Sequence, residues 1–103
     1  MPSPLPFCVY VIQSLKDDGL YIGFTTDLAR RLEEHNSGAS PATAPRRPFE
    51  LVFCEHYRSK SDAIRREAYL KTSAGRRTLK LMLQESLPRH PDAEAPTATS
   101  TSD

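Results

Sequence analysis

Apolar positions along the first third of the chain follow two different periods, and the change of period marks the elements. The run "FCVYVIQSL" from Phe7 is apolar at both odd and even positions and rich in β-branched residues, which predicts a strand covered on both faces, at the centre of a sheet rather than its edge. "KDDG" then turns the chain, and "LYIGF" from Leu20 predicts the partner strand of a hairpin. From Leu28 the period becomes helical: Leu28 and Leu32 share a face, Thr26 or Asp27 can cap the start, and Asn36, Ser37 and Gly38 end it. A proline-bearing loop carrying Arg46 and Arg47 leads to a third strand, "FELVFCEHY" from Phe49. "SKSDAIRREAYLK" predicts a helix capped by Ser59 or Ser61, and after a break near Thr72 "SAGRRTLKLMLQESL" predicts another. The order strand, strand, helix, strand, helix, helix implies an α+β fold, a small three-stranded, mostly antiparallel sheet flanked by helices.

Composition narrows this to one domain. With 103 residues the chain can bury a single core. We read residues 1–6 as an N-terminal extension, 7–87 as the folded domain, and 88–103, "PRHPDAEAPTATSTSD", as a disordered tail from its Pro, Ala, Ser and Thr bias. No apolar run is long enough to cross a bilayer, and "MPSPLPF" lacks the basic start and apolar stretch of a signal peptide, so a soluble, cytoplasmic protein with no membrane partner is expected. Cys8 and Cys54 lie in separate strand-like runs, a placement that argues for small buried hydrophobes and against a zinc site or a disulfide framework. The net charge is only +1, yet eight of the 14 Lys and Arg lie between Arg58 and Lys80 against Asp62 and Glu67 alone. Such a local basic surface suits a phosphate backbone, although a solvated helix face has the same composition.

Five residues sit awkwardly in this pattern. On a helical wheel His35 falls beside Leu28 and Leu32, and Arg31 lies at the edge of the same face while Arg30 points away. Arg31 either runs its stem along apolar surface with its head in water, or presents a cation to the sheet. His35 either complements the helix macrodipole or joins it. Glu67 lies near the middle of the inward arc drawn through Ala63, Ile64 and Leu70, where a carboxylate needs an arginine partner or a metal ion. Tyr10 and Tyr21 share a sheet face if the "KDDG" loop is even in length, and are separated by an odd, bulged turn. Two phenols, an arginine, a histidine and an inward glutamate beside basic helices suit phosphodiester cleavage: the arginine neutralises charge on phosphorus, the carboxylate holds a hard divalent cation, and a phenol handles a proton.

The same residues resemble the GIY-YIG nuclease superfamily: Cys8-Val9-Tyr10, Tyr21-Ile22-Gly23 beginning eleven residues on, Arg31 ten further, His35 one turn later, and a glutamate in a downstream helix. "YIGFTTDLARRLEEHNSG" and "RPFELVFCEHYRSKSDAIRREAYLKTSAGRRTLK" are similar to its small stand-alone bacterial members, and the likeness runs from Phe7 to about Leu83. It implies a three-stranded antiparallel sheet flanked by helices and a single divalent cation, Mg²⁺ or Mn²⁺. It assigns Glu67 as the metal ligand, Tyr21 to activate or orient the attacking water, and Arg31 to stabilise the transition state. Tyr10 and His35 would position the phosphate and relay protons, and Gly23 would let backbone approach the site. The implied function is endonucleolytic cleavage, with DNA the favoured substrate over RNA although the residues themselves do not choose between them, and repair or recombination the candidate setting. Arg65, Arg66, Lys71, Arg76 and Arg77 are the candidate nucleic-acid contacts, and a larger repair protein is a candidate partner. Three positions depart from the pattern: Cys8 and Val9 replace the Gly and Ile of the first motif, and Ser73 stands where many members carry an asparagine. A noncatalytic nucleic-acid-binding module, or an adaptor of the same fold, is the competing reading.

Overall fold

The computed structural model describes residues 4–87, and the expected tail at 88–103 lies outside them. Three strands, β1 (Phe7–Ser14), β2 (Leu20–Thr25) and β3 (Phe49–Tyr57), form one antiparallel sheet in the order β2-β1-β3. The doubly apolar β1 is therefore the central strand, as its pattern requires, and Val9, Tyr10, Val11 and Ile12 are all buried. Three helices complete the domain: α1 (Leu28–Ser37), α2 (Lys60–Leu70) and α3 (Ser73–Met82).

The two parities of β1 feed two cores. Val9 and Val11 pack with Ile22, Ala63, Leu70, Leu79 and Leu83 beneath α2 and α3. Cys8, Tyr10 and Ile12 face the other way, with Phe49, Tyr21, Leu28 and Leu32 of α1. Full burial of a side chain such as Leu70 or Leu79 contributes about 1.5–3 kcal/mol, so the sheet is held mainly by this layer-on-layer packing. Along β3 the register moves from Val11↔Phe53 to Ile12↔Leu51, leaving Val52 as the extra residue of a bulge.

The β1–β2 connection decides which side chains meet. The Ser14 amide donates to the Gly19 carbonyl at 2.8 Å, enclosing four residues, an even number. Ser14 Oγ accepts from the amides of Lys16 and Asp17 at 3.0 and 3.1 Å, and Asp18 takes the left-handed backbone position with φ 62°. Tyr10 pairs with Gly23 and Ile12 with Tyr21, so Tyr10 and Tyr21 stand on the face that α1 covers.

Each helix start has a side-chain cap: Asp27, Ser59 and Thr72 accept from the amides of Arg30, Asp62 and Gly75. Asn36, expected to help end α1, lies within it and takes a different part. Its amide group donates to the Phe49 carbonyl at 3.1 Å and its oxygen accepts from the Phe49 amide at 2.7 Å, tying α1 to the first residue of β3. The inward line of α2 is Ala63, Glu67 and Leu70; Ile64, expected on that line, is 45% exposed because it lies about 100° around the helix from Ala63. The last helix ends at Met82, short of the pattern, and Leu83 and Leu87 continue into the core from turns.

Candidate active site

The side chains on the α1 face of the sheet converge. Tyr10 is buried, and its ring lies across its strand partner Gly23, where a Cβ atom would come 2.4 Å from both Cζ and the hydroxyl oxygen. Gly23 thus makes room for an aromatic ring from the neighbouring strand, a different use of the missing side chain from the backbone approach expected of it. The Tyr10 hydroxyl ends 2.8 Å from Nε2 of His35, which is completely buried. The other ring nitrogen, Nδ1, lies 2.7 Å from Oγ1 of the buried Thr43. Tyr21, half-buried, stands edge-on to the imidazole with ring centroids 4.9 Å apart and lies 6.4 Å from the Tyr10 ring. Arg31 approaches from the same helix, its guanidinium beside the Tyr10 hydroxyl and near Tyr21. Nη1 of Arg31 donates to Glu34 Oε1 at 2.7 Å, while Glu34 Oε2 accepts from Arg30 Nε at 3.3 Å. A cleft of about 80 Å³ opens beside Arg31, bounded by Thr25, Thr26, Asp27, Arg30 and Glu34.

Burial sets the protonation of the two innermost groups. It pushes the Tyr10 phenol up to about 12 in spite of the opposing pull of Arg31, so Tyr10 carries its proton at neutral pH. Burial first and Arg31 second pull the His35 imidazole below its ordinary value of about 6.5. The ring is therefore neutral and buried, which rules out its acting as a solvated cation on the helix dipole. A depressed base also has a stability signature: below about pH 6.5 the unfolded chain takes up the proton that folded His35 refuses, so stability is full above that pH and falls as pH drops. We expect the melting temperature to fall between pH 7 and 5, and the slope to flatten in His35→Gln; circular dichroism melts at fixed ionic strength measure both. The depressed carboxylates Asp17, Glu34 and Glu55 act at lower pH, around and below their ordinary values near 4, so the two regimes separate.

Glu67 reaches this group from the opposite layer. Its side chain is 21% exposed, and its charge acts on the Tyr10 phenol, so the carboxylate lies within electrostatic range of the cluster without touching its members. Its partner is Lys71, one helical turn on, with Nζ 3.1 Å from Oε2. Among the described residues no group of three or more His, Cys, Asp or Glu could hold a metal ion by itself. A single, partly exposed carboxylate such as Glu67 fits the habit of Mg²⁺, which keeps several waters and takes one or two carboxylates together with substrate phosphate oxygens.

Comparison with known proteins places the chain in a family. The family described as the GIY-YIG catalytic domain matches residues 6–80. This chain belongs to the GIY-YIG family. A UPF0213 protein of Staphylococcus haemolyticus is 41% identical over 75 residues, covering 72% of this chain and 90% of that one. A UPF0213 protein of Staphylococcus saprophyticus is 37% identical over a stretch of the same length. The solution NMR structure of the UPF0213 protein BH0048 from Bacillus halodurans aligns with a TM-score of 0.50 at 33% identity, over 93% of this chain and 98% of that one.

The basic residues of this GIY-YIG domain divide into two sets. Arg66 donates to both carboxylate oxygens of Glu55, at 2.9 and 3.2 Å, and Tyr57 donates to the same carboxylate at 2.6 Å, a partly buried triad that fastens α2 to β3. Arg65 pairs with Asp62 and Lys71 with Glu67. Arg76 and Arg77 on α3 have no ion-pair partner among the described residues. Cys8 and Cys54 are free thiols; Cys8 is opposite His56 on β3 and Cys54 opposite Tyr10, and burial pushes the Cys8 thiol up to about 11. No helix among the described residues is long and apolar enough to cross a membrane. Reading along the sequence missed Thr43, Glu34 and the Gly23–Tyr10 contact. Glu34 was signalled by its i,i+3 and i,i+4 spacing from Arg31 and Arg30, and the glycine contact by the even hairpin loop; Thr43 sits in a loop where spacing carries no such information.

Proposed function

We propose that this GIY-YIG domain is a metal-dependent endonuclease that hydrolyses phosphodiester bonds in DNA, with branched or damaged DNA of repair intermediates as the first substrates to test. The observation that carries this reading is the meeting of Tyr10, Tyr21, Arg31 and His35 on one sheet face, with Glu67 in electrostatic range. In this reading Arg31 neutralises the charge that builds on the phosphate oxygens as water attacks phosphorus. Tyr21 orients that water. Tyr10, held protonated by its surroundings, offers its hydroxyl within the cluster, and the neutral imidazole behind it, though a weakened base, is the acceptor that this hydroxyl faces. Glu67 would hold Mg²⁺ or Mn²⁺, which when bound adds positive charge at the scissile phosphate. Arg76 and Arg77, without ion-pair partners among the described residues, are the first choices for contacts to the DNA backbone, and Arg65, Arg66 and Lys71, which already pair with Asp62, Glu55 and Glu67, come second.

Incubation of supercoiled plasmid with the purified protein and Mg²⁺ or Mn²⁺ should yield nicked circles, and chelation should stop the reaction. Glu67→Gln should lower the rate at saturating metal by about 10²-fold or more and leave the melting temperature nearly unchanged, since its pair with Lys71 is at the surface. Cleavage by Glu67→Gln at the parental rate would remove the metal role of that residue. One observation favours a second reading, a noncatalytic nucleic-acid-binding module: Lys71 already occupies the Glu67 carboxylate. Salt-dependent DNA binding with no cleavage under any divalent metal would decide for that module.

A further inference from the structure

We propose that Thr43 is a positioning residue that fixes the tautomer of His35, making Nε2 the proton acceptor that faces Tyr10. The proposal deepens the nuclease reading and rests on it only for its kinetic consequence. Four atoms form a chain of contacts: the Tyr10 hydroxyl oxygen, Nε2 and Nδ1 of His35, and Thr43 Oγ1, with separations of 2.8 and 2.7 Å at the two ends of the ring. Tyr10, His35 and Thr43 are each buried, so water cannot take the place of either partner, and each ring nitrogen must settle its hydrogen bond with the hydroxyl in front of it.

A neutral imidazole carries one N–H and one lone pair, so the two hydroxyls must play opposite parts. A phenol is a far stronger acid than an aliphatic alcohol, which favours Tyr10 as the donor to the ring and Thr43 as the acceptor from it. The surroundings agree at both ends. The Thr43 hydroxyl has an acceptor for its own hydrogen in the Ser40 carbonyl at 3.5 Å, which leaves a lone pair for Nδ1–H. At the other end the Arg31 guanidinium, a donor only, stands beside the phenol oxygen and competes for its lone pairs, which favours the phenol hydrogen being turned to the imidazole. Hydrogen bonds then run one way, from Tyr10 to His35 to Thr43 to Ser40.

The direction matters for chemistry. A proton arriving on the phenol oxygen from the reacting side is matched by release of the phenol's own proton to Nε2, which leaves Tyr10 neutral and His35 as imidazolium. With the other tautomer Nε2 already bears hydrogen, and this transfer has no acceptor. The segment that carries Thr43 is itself pinned to the hairpin: Ser14 Oγ donates to the Arg46 carbonyl at 2.7 Å and Lys16 Nζ to the Pro45 carbonyl at 3.0 Å. Thr43 is thus a fixed point against which the ring is aligned.

Nitrogen-15 correlation spectra of the full-length labelled protein near pH 7.5 read the tautomer without substrate or metal. His35 should show a protonated Nδ1 and an unprotonated Nε2. Thr43→Val, nearly the same shape without the acceptor, should move His35 towards the Nε2–H form and lower plasmid nicking by about tenfold or more. Thr43→Ser should restore the parental tautomer and bring nicking back to within about twofold. A parental protein protonated at Nε2 overturns the proposal, and so does a Thr43→Val protein that keeps both tautomer and rate. Should Thr43→Val not fold, the parental spectrum and the Ser variant still decide. If no variant nicks DNA at all, the nuclease reading fails while the tautomer assignment stands or falls by its own spectrum.

Discussion

Arg31→Ala should lower the rate of metal-dependent plasmid nicking by about 10²- to 10³-fold while shifting the melting temperature by only a few degrees. The two effects separate because the guanidinium serves different purposes in the resting protein and in the reaction. At rest its best contact is a half-exposed pair with Glu34 on the same helix, at 2.7 Å, and such pairs contribute roughly 0–1 kcal/mol. In the proposed reaction a planar cation next to two phenols would meet the extra negative charge that builds only in the transition state, which is where one donor changes a rate most. Arg31→Lys should recover only a small part of the loss, because an ammonium group has neither the reach nor the two-pronged geometry. Single-turnover nicking across the three proteins, alongside their melting curves, tests this. An Arg31→Ala protein with parental rates would leave the cluster without its cation and the nuclease reading without its main support.

Gly75→Ala should produce the largest loss of stability of any single methyl group added to this chain, about 2–3 kcal/mol, or roughly 10–20 °C in melting temperature for a domain of this size. Helix propensity argues the other way, since alanine in place of an exposed glycine within a helix gains about 1 kcal/mol. Here the neighbour decides the sign. Gly75 is buried in the first turn of α3, and a Cβ there would come 2.0 Å from the Tyr69 carbonyl oxygen and 2.6 Å from the Leu70 Cα. Those are backbone atoms of α2, unable to swing aside as a side chain does. The turn between the helices is also tied down: Thr72 Oγ1 donates to the Tyr69 carbonyl at 2.6 Å and accepts from the Gly75 amide at 3.0 Å. Separating the helices would pull Leu70 and Leu79 apart in the core and shift Glu67, one turn before Leu70, relative to Tyr10. Nicking should therefore fall together with stability. A melting temperature unchanged by the methyl group would mean that α2 and α3 pack more loosely than the structure has them.

The two tyrosines show how far a one-dimensional pattern reaches. Alternation along β1 puts Tyr10 on a face opposite to Val9 and Val11, and an even hairpin loop puts Tyr21 on the same face, so their meeting follows from the chain once that loop is counted. The helical period of Leu28 and Leu32 likewise carries Arg31 and His35 to that face. Glu67 is legible in position but not in company. The wheel turns it towards the sheet, whereas the pair with Lys71 and the remote influence on Tyr10 depend on how α2 lies across the other layer. Ile64 was misplaced on that same wheel because three apolar residues define an arc too broad to locate its centre.

The charged surface divides for the same reason. Eight basic residues between Arg58 and Lys80 look alike in the sequence, yet Glu55 on β3 engages Arg66, while Arg76 and Arg77 have no ionic partner among the described residues. Thr43 is the extreme case: a loop residue between prolines, set against His35 while Ser14, Lys16 and Asn36 anchor the chain that follows it at Arg46, Pro45 and Phe49.

Local periodicity determined the strands, the helices, their inward faces and hence the placement of four of the five candidate site residues, because burial of alternating or helically spaced apolar groups is a property of neighbours in the chain. Tertiary structure alone decided that Glu67 stands within range of Tyr10, that Gly23 lies under the Tyr10 ring and that Thr43 holds His35. Those contacts join residues far apart in sequence, and their geometry depends on how separate layers pack, which no short-range pattern encodes.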